Sequence, residues 1–226
     1  MDLQNILLTI AQCTPGFLLA IIIHEYSHGR VAKMFGDDTA EKAGRLTLNP
    51  ADHIDIMGTV IFPLIGAISG WTVFGWAKPV PISVRNFKAS EYRKAIFWVS
   101  FAGPLSNFIL GTLSGLAMAI WFKFGPADTK LFGSVIAMLK YSVLINFLLG
   151  GFNIIPFPPL DGSRMLASFL KGEALRKYEG LAQYSFYVMM GIFALSMMGI
   201  PTIHYIIMPF IQMGNLITYL FVQMLQ

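Results

Sequence analysis

Residues Gly16–Gly29 read GFLLAIIIHEYSHG, and the rest of the chain is organised around them. Apolar side chains from Phe17 to Ile23 run without a turn residue into His24-Glu25-Tyr26-Ser27-His28. A run of this kind predicts a helix, on which residues four apart share one face. His24 and His28 then present two imidazoles one turn apart, a spacing that lets both reach a single metal ion. Glu25 stands beside them as a carboxylate able to take a proton from a water activated by that ion. The five-residue pattern also arises by chance; its setting adds weight. An ionisable cluster at the end of an apolar helix is costly in lipid and marks function.

Composition points the same way. Of 226 residues, 55% are hydrophobic and 12% charged, and the mean hydropathy is +0.63. Soluble domains carry about 25% charged residues, so the chain is expected to lie in a membrane. The net charge of +4 reads as topology information rather than a nucleic-acid footprint, and no nucleic-acid partner is expected. A single cysteine, Cys13, excludes an internal disulfide and a cysteine-rich zinc site; it reads as an apolar filler. The N-terminus lacks a basic stretch, and cleavage after its first apolar helix would remove the histidine motif, so that helix is expected to be retained.

Spans need about 20 mostly apolar residues. Hydropathy places them at residues 3–31, 56–77, 95–122, 131–152, 182–200 and 203–225. The second is broken by Gly58, Pro63, Gly66, Gly70 and Gly75 and is rich in β-branched residues. Ser90 is placed to cap the third, which contains Ala102-Gly103-Pro104-Leu105-Ser106-Asn107. The fourth runs into Asn153-Ile154-Ile155-Pro156-Phe157-Pro158-Pro159-Leu160-Asp161-Gly162. The whole, residues 1–226, reads as one integral-membrane domain with a core at 3–170 and accessory helices at 182–225.

A catalytic zinc usually takes three protein ligands and keeps one position open. Asp161 is the strongest third candidate, because it closes a proline-stiffened break directly after a span, where irregular backbone lines a wet cavity or is buried. An ordinary turn is the alternative for Asp161-Gly162. His53 lies in a polar stretch with nothing to favour it, and His204 reads as an interfacial polar residue. Asn107 and Asn146 read as interhelical hydrogen-bonding residues.

The histidine motif, together with Asn153 to Pro156 and Leu160-Asp161-Gly162, resembles the site-2 protease family of intramembrane zinc metalloproteases, of the M50 type. The Ala102–Asn107 stretch is similar to a helix motif of that family. The resemblance covers about residues 16–170. It implies one zinc ion per chain held by His24, His28 and Asp161, with Glu25 as the catalytic base. Asn153 would hold the substrate backbone or the oxyanion. Residues 44–81, with Leu46-Thr47-Leu48-Asn49-Pro50 and His53-Ile54-Asp55, look like the short prokaryotic branch without PDZ or nucleotide-binding domains. Ile56 stands where that branch often has proline.

The proposed ligands also constrain topology. His24 and His28 lie near the exit of the first span and Asp161 just past the fourth, so an even number of crossings must separate them. Residues 56–77 are therefore expected to dip in and return. Counting loop cations tests this: the re-entrant arrangement puts thirteen on one side (Arg30, Lys33, Lys42 and Arg45; five from Lys78 to Lys94; four from Arg164 to Lys177) against Lys123 and Lys130. The positive-inside rule then sets the N-terminus outside and the site toward the cytoplasmic face, in a prokaryotic plasma (inner) membrane.

The expected fold is an α-helical polytopic membrane protein with about five transmembrane helices and a re-entrant, possibly β-containing, segment at 44–81. Arg45–Leu48 or Thr59–Phe62 could offer an edge strand to an unwound substrate, with Leu46, Thr47 and Leu48 as contacts; a structural plug is the alternative. Expected partners are the lipid bilayer and a membrane-protein substrate with a transmembrane segment. The competing functions are a metal transporter, which gives Glu25 no task, and a proteolytically silent scaffold.

Overall fold

The computed structural model describes residues 3–62, 64–65, 75, 77–127, 129–198 and 202–225. The first helix, α1 (Leu3–Met34), extends three residues beyond its hydropathy limit and carries the histidine motif near its end. It stops in a glycine cap. Gly36 takes a left-handed φ of 99°, its amide donates to the Lys33 carbonyl at 3.1 Å, and the Asp37 amide donates to Ala32 at 3.0 Å, which satisfies the last carbonyls. A short helix α2 (Thr39–Lys42) follows. Then come α3 (Tyr92–Phe124), α4 (Lys130–Asn153), α5 (Asp161–Ala167), α6 (Gly172–Glu179), α7 (Ser185–Met197) and α8 (Thr202–Leu225).

Four of these are long and apolar enough to cross a bilayer: Gln4–Met34, Ala89–Phe124, Leu131–Asn153 and Tyr205–Leu225. The chain is thus an α-helical polytopic membrane protein, with four such helices among the described residues where hydropathy suggested about five. The difference falls at 182–200. A 3-10 turn over Gly180–Tyr184 leaves α7 only 13 residues, about 20 Å against the roughly 30 Å of a bilayer core.

The possible β-structure is likewise not found; among the described residues there is no strand. Thr59 to Phe62 belongs to helical turns beginning at Ile56, because Asp55 caps them by accepting from the Gly58 amide at 2.8 Å. A local cap outweighs the β preference of Val60 and Ile61. Arg45–Leu48 is irregular chain. Ser90 is not a cap either: it sits within a 3-10 turn, Ala89–Glu91, that leads into α3.

The re-entrant expectation has a structural counterpart at the ends of its segment. The Lys78 amide donates to the His53 carbonyl at 2.9 Å, and the Arg45 guanidinium donates to the Lys78 carbonyl at 2.8 Å. Residues 54–77 therefore leave and return at one point. Residues 63, 66–74 and 76 of that excursion lie outside the described residues.

Helices α1, α3 and α4 pack on one another, α8 closes against α3 and α4, and α5 rests on α3. The α1–α4 crossing is close enough that a Cβ on Gly16 would lie 2.8 Å from the Ser142 Cα. Small residues at such crossings let helix backbones approach in a solvent that offers no hydrophobic drive.

Candidate active site

The two imidazoles arrive on one face of α1, as their four-residue spacing requires, and are buried at 8% and 7% exposure. Asp161 opens α5, held by the break after α4. The structure brings these three together: Nε2 of His24 and of His28 lie 3.2 and 3.3 Å from Asp161 Oδ2, and 3.0 Å from each other.

Hydrogen bonding decides what these atoms present. His28 Nδ1 lies 2.6 Å from the Val99 carbonyl, which can only accept, so Nδ1 carries the proton. His24 Nδ1 lies 2.6 Å from Asn107 Oδ1. That amide's orientation follows from its other end, whose Nδ2 donates to the Ala20 carbonyl at 3.1 Å and to Asn146 Oδ1 at 2.9 Å. Asn146 in turn donates to the Ser142 carbonyl at 2.8 Å. His24 Nδ1 is therefore also the protonated nitrogen. Both Nε2 atoms point lone pairs at one spot, and Asp161 Oδ2 is buried beside them without accepting a hydrogen bond.

Three lone-pair atoms at such separations repel unless a cation lies among them. A tetrahedral zinc ion with ligands about 2.0–2.1 Å away sets its ligand atoms about 3.3 Å apart. The observed triangle fits, and the donor set of two imidazoles and one carboxylate suits zinc. Outer partners that fix the tautomer and orient the rings are what such ligands require.

Gly103, from the Ala102–Asn107 stretch, explains how α3 passes this cluster. A Cβ there would lie 2.6 Å from His24 Cε1 and from His28 Cε1 and would overlap His28 Nε2. Only glycine leaves room for the two rings.

Glu25, half-buried on α1, accepts the Val80 amide at 2.8 Å through Oε2. Val80 belongs to an irregular strap over residues 77–83, pinned also through Lys78 to His53 and through the Ser83 amide to Asp37 at 2.7 Å. Buried Asp37 further accepts from Thr39 and from Asn86 Nδ2 at 2.8 Å. Burial alone would push its carboxyl up; these donors outweigh that and hold it below its ordinary value.

The remaining sequence candidates lie further out. Asn153 turns its Nδ2 back to the Leu149 carbonyl at 3.1 Å in its own helix. Leu46 packs toward Gly29, one residue past His28, while the Thr47 carbonyl accepts from His53 Nε2 at 2.8 Å and Leu48 is exposed. His53 is thus a fully buried loop residue outside the cluster, and the His204 side chain lies outside the described residues. Sequence reasoning missed Val80, Val99 and Gly103, two of which act through backbone atoms and leave no side-chain signal.

Comparison with known proteins agrees with this chemistry. The profile of peptidase family M50 matches residues 13–198. YwhC of Bacillus subtilis, named as a candidate zinc metalloprotease, is 33% identical over 88% of this chain and 84% of its own length. Rip2 of Mycolicibacterium smegmatis, named likewise, is 33% identical over 76% of this chain and 62% of its own. Zinc metalloprotease MJ0392 of Methanocaldococcus jannaschii is 27% identical over 67% of this chain and 32% of its own. No solved structure matches. The chain belongs to peptidase family M50 and is a membrane-embedded metallopeptidase.

Proposed function

We propose that this zinc metalloprotease hydrolyses peptide bonds of membrane-spanning substrates, with His24, His28 and Asp161 holding one zinc ion and Glu25 as general base. The observation that carries this reading is the convergence of three lone-pair atoms, the two imidazoles among them oriented by their outer contacts. Zinc supplies Lewis acidity there, polarising the scissile carbonyl and acidifying a water.

The protein's own groups do the rest. Glu25 takes the proton from the attacking water and passes it to the leaving amine. The Val80 amide steadies one carboxylate oxygen of Glu25, leaving the other for the proton. Asn153, once released from Leu149, donates to the substrate carbonyl or to the developing oxyanion. Leu46, Thr47 and Leu48 flank the end of the motif and offer backbone to an unwound substrate, whose carbonyls a helix would hide. Loop charge supports an outside N-terminus with the site toward the cytoplasmic face.

Cleavage of a single-span substrate by the reconstituted protein tests the assignment. Glu25→Gln is expected to keep zinc and lose at least about a hundredfold in rate, the usual range for a general base. Undiminished cleavage by that variant would sink the proposal.

A further inference from the structure

A second site lies where α3 begins and α5 ends. Arg93 and Lys94 come from the first turn of α3, and Lys171 from the chain just after α5, more than 70 positions later. They border one open, shallow cavity of about 540 Å³ at the surface. None of the three has a carboxylate partner among the described residues; the ion-paired lysines there are Lys33, Lys42 and Lys177. The wall beneath is aromatic. Phe97 packs edge-on at 5.4 Å against both Trp98 and Phe169, and Trp98 and Phe169 are 43% and 67% exposed.

Depth follows from helix geometry. Lys94 and Lys123 bracket the apolar part of α3, and at 1.5 Å per residue they are about 44 Å apart. A bilayer with its headgroups measures about 40–45 Å, so the cations sit at headgroup level. Trp98, one turn further in, stands where interfacial tryptophans gather.

We propose that this cavity binds the phosphodiester headgroup of an anionic phospholipid. Arg93, Lys94 and Lys171 surround the phosphate, and the acyl chains run over Trp98 and Phe169. Basic loops are general in membrane proteins; what distinguishes this one is convergence on a cavity from two separate segments, with an apolar ramp on its membrane side. Free phosphate shares the charge but cannot use the rings. The assignment is independent of peptide hydrolysis, and neither stands or falls with the other.

The test uses the purified full chain in neutral micelles. Retention of phosphatidylglycerol, of phosphatidylcholine with the same acyl chains, and of inorganic phosphate is measured by native mass spectrometry. The wild type is expected to retain phosphatidylglycerol at least tenfold over phosphatidylcholine. R93Q/K94Q/K171Q should lose on the order of a hundredfold in affinity for it. K42Q/R85Q/K177Q, with the same change in net charge off the cavity, should keep the preference. Equal loss in both variants, no preference in the wild type, or displacement of the lipid by millimolar phosphate overturns the proposal. If the cavity variant does not fold, brominated lipids decide. Dilute brominated phosphatidylglycerol should quench the fluorescence that Trp98→Phe removes more strongly than brominated phosphatidylcholine does, and equal quenching refutes the site.

Discussion

Gly103→Ala offers a direct measure of how tightly α3 is fitted to the paired imidazoles. The added methyl would sit 2.6 Å from His24 Cε1 and from His28 Cε1, where carbon atoms prefer about 3.5–4.0 Å. Roughly 1 Å of movement is needed to relieve this. The rings cannot supply it by rotating, because each is held at Nδ1, one by Val99 and the other by Asn107. Moving α3 away carries both of those partners with it. Either route displaces ligand atoms by several times the about 0.2 Å that a metal site tolerates. Overpacking of this kind costs about 1–3 kcal/mol, and 1.4 kcal/mol is tenfold in affinity. Zinc affinity, measured by competition with a coloured chelator, should therefore fall about 10- to 100-fold. Gly133→Ala is the control: nothing lies within 4 Å of its Cβ position in α4, so it should leave zinc untouched and gain up to about 1 kcal/mol of helix stability. A folded Gly103→Ala protein with zinc affinity within about twofold of wild type would refute the reasoning.

The outer partners give a second contrast. Asn107→Ala removes the acceptor that holds His24 and should weaken zinc about 10- to 100-fold, whereas Asn146→Ala breaks the α3–α4 link but spares the histidine contact. Asn146→Ala should lower the melting temperature without that loss in chelator competition, and equal zinc losses would contradict the assignment. Asp37 sets a pH dependence on the strap. Its carboxyl is held below the ordinary 3.8, so its contribution is present above that value and lost as pH falls through it toward the lower folded value. Thermal melts between about pH 3 and 7 should show this acid loss in the wild type and its absence in Asp37→Asn, already less stable at neutral pH by about 1–3 kcal/mol.

Much of this was legible in the residues themselves. Apolar runs name the helices, since a backbone in lipid has few other ways to satisfy its polar groups. An even number of crossings also follows from nothing but the positions of the proposed ligands. It anticipated that residues 54–77 return to their starting point, as the His53–Lys78 bond shows. What failed was local: β-branched residues at 59–62 suggested extended chain, and a single Asp55 cap overrode them. Asn107 was readable as an interhelical donor, and it is one. Its acceptor role toward His24, 83 positions away, is set by the crossing of α1 and α3, which no local pattern reports. The Val80 amide and Val99 carbonyl belong to the backbone, so their importance cannot be read from side-chain identity.

The separation of the proposed ligands along the chain has a consequence for biogenesis. Residues 24 and 28 are synthesised early, yet the carboxylate that completes their cluster follows two further membrane crossings, α3 and α4. A nascent chain that has reached only Asn153 carries the two imidazoles, with Asn107 already available to His24, but not yet the Asp161 carboxylate. With that ligand set, tight metal capture waits until α3 and α4 have been made, ahead of α8. Ion occupancy through the proposed ligands would then report the threading of α1, α3 and α4 together, which no single helix can report alone.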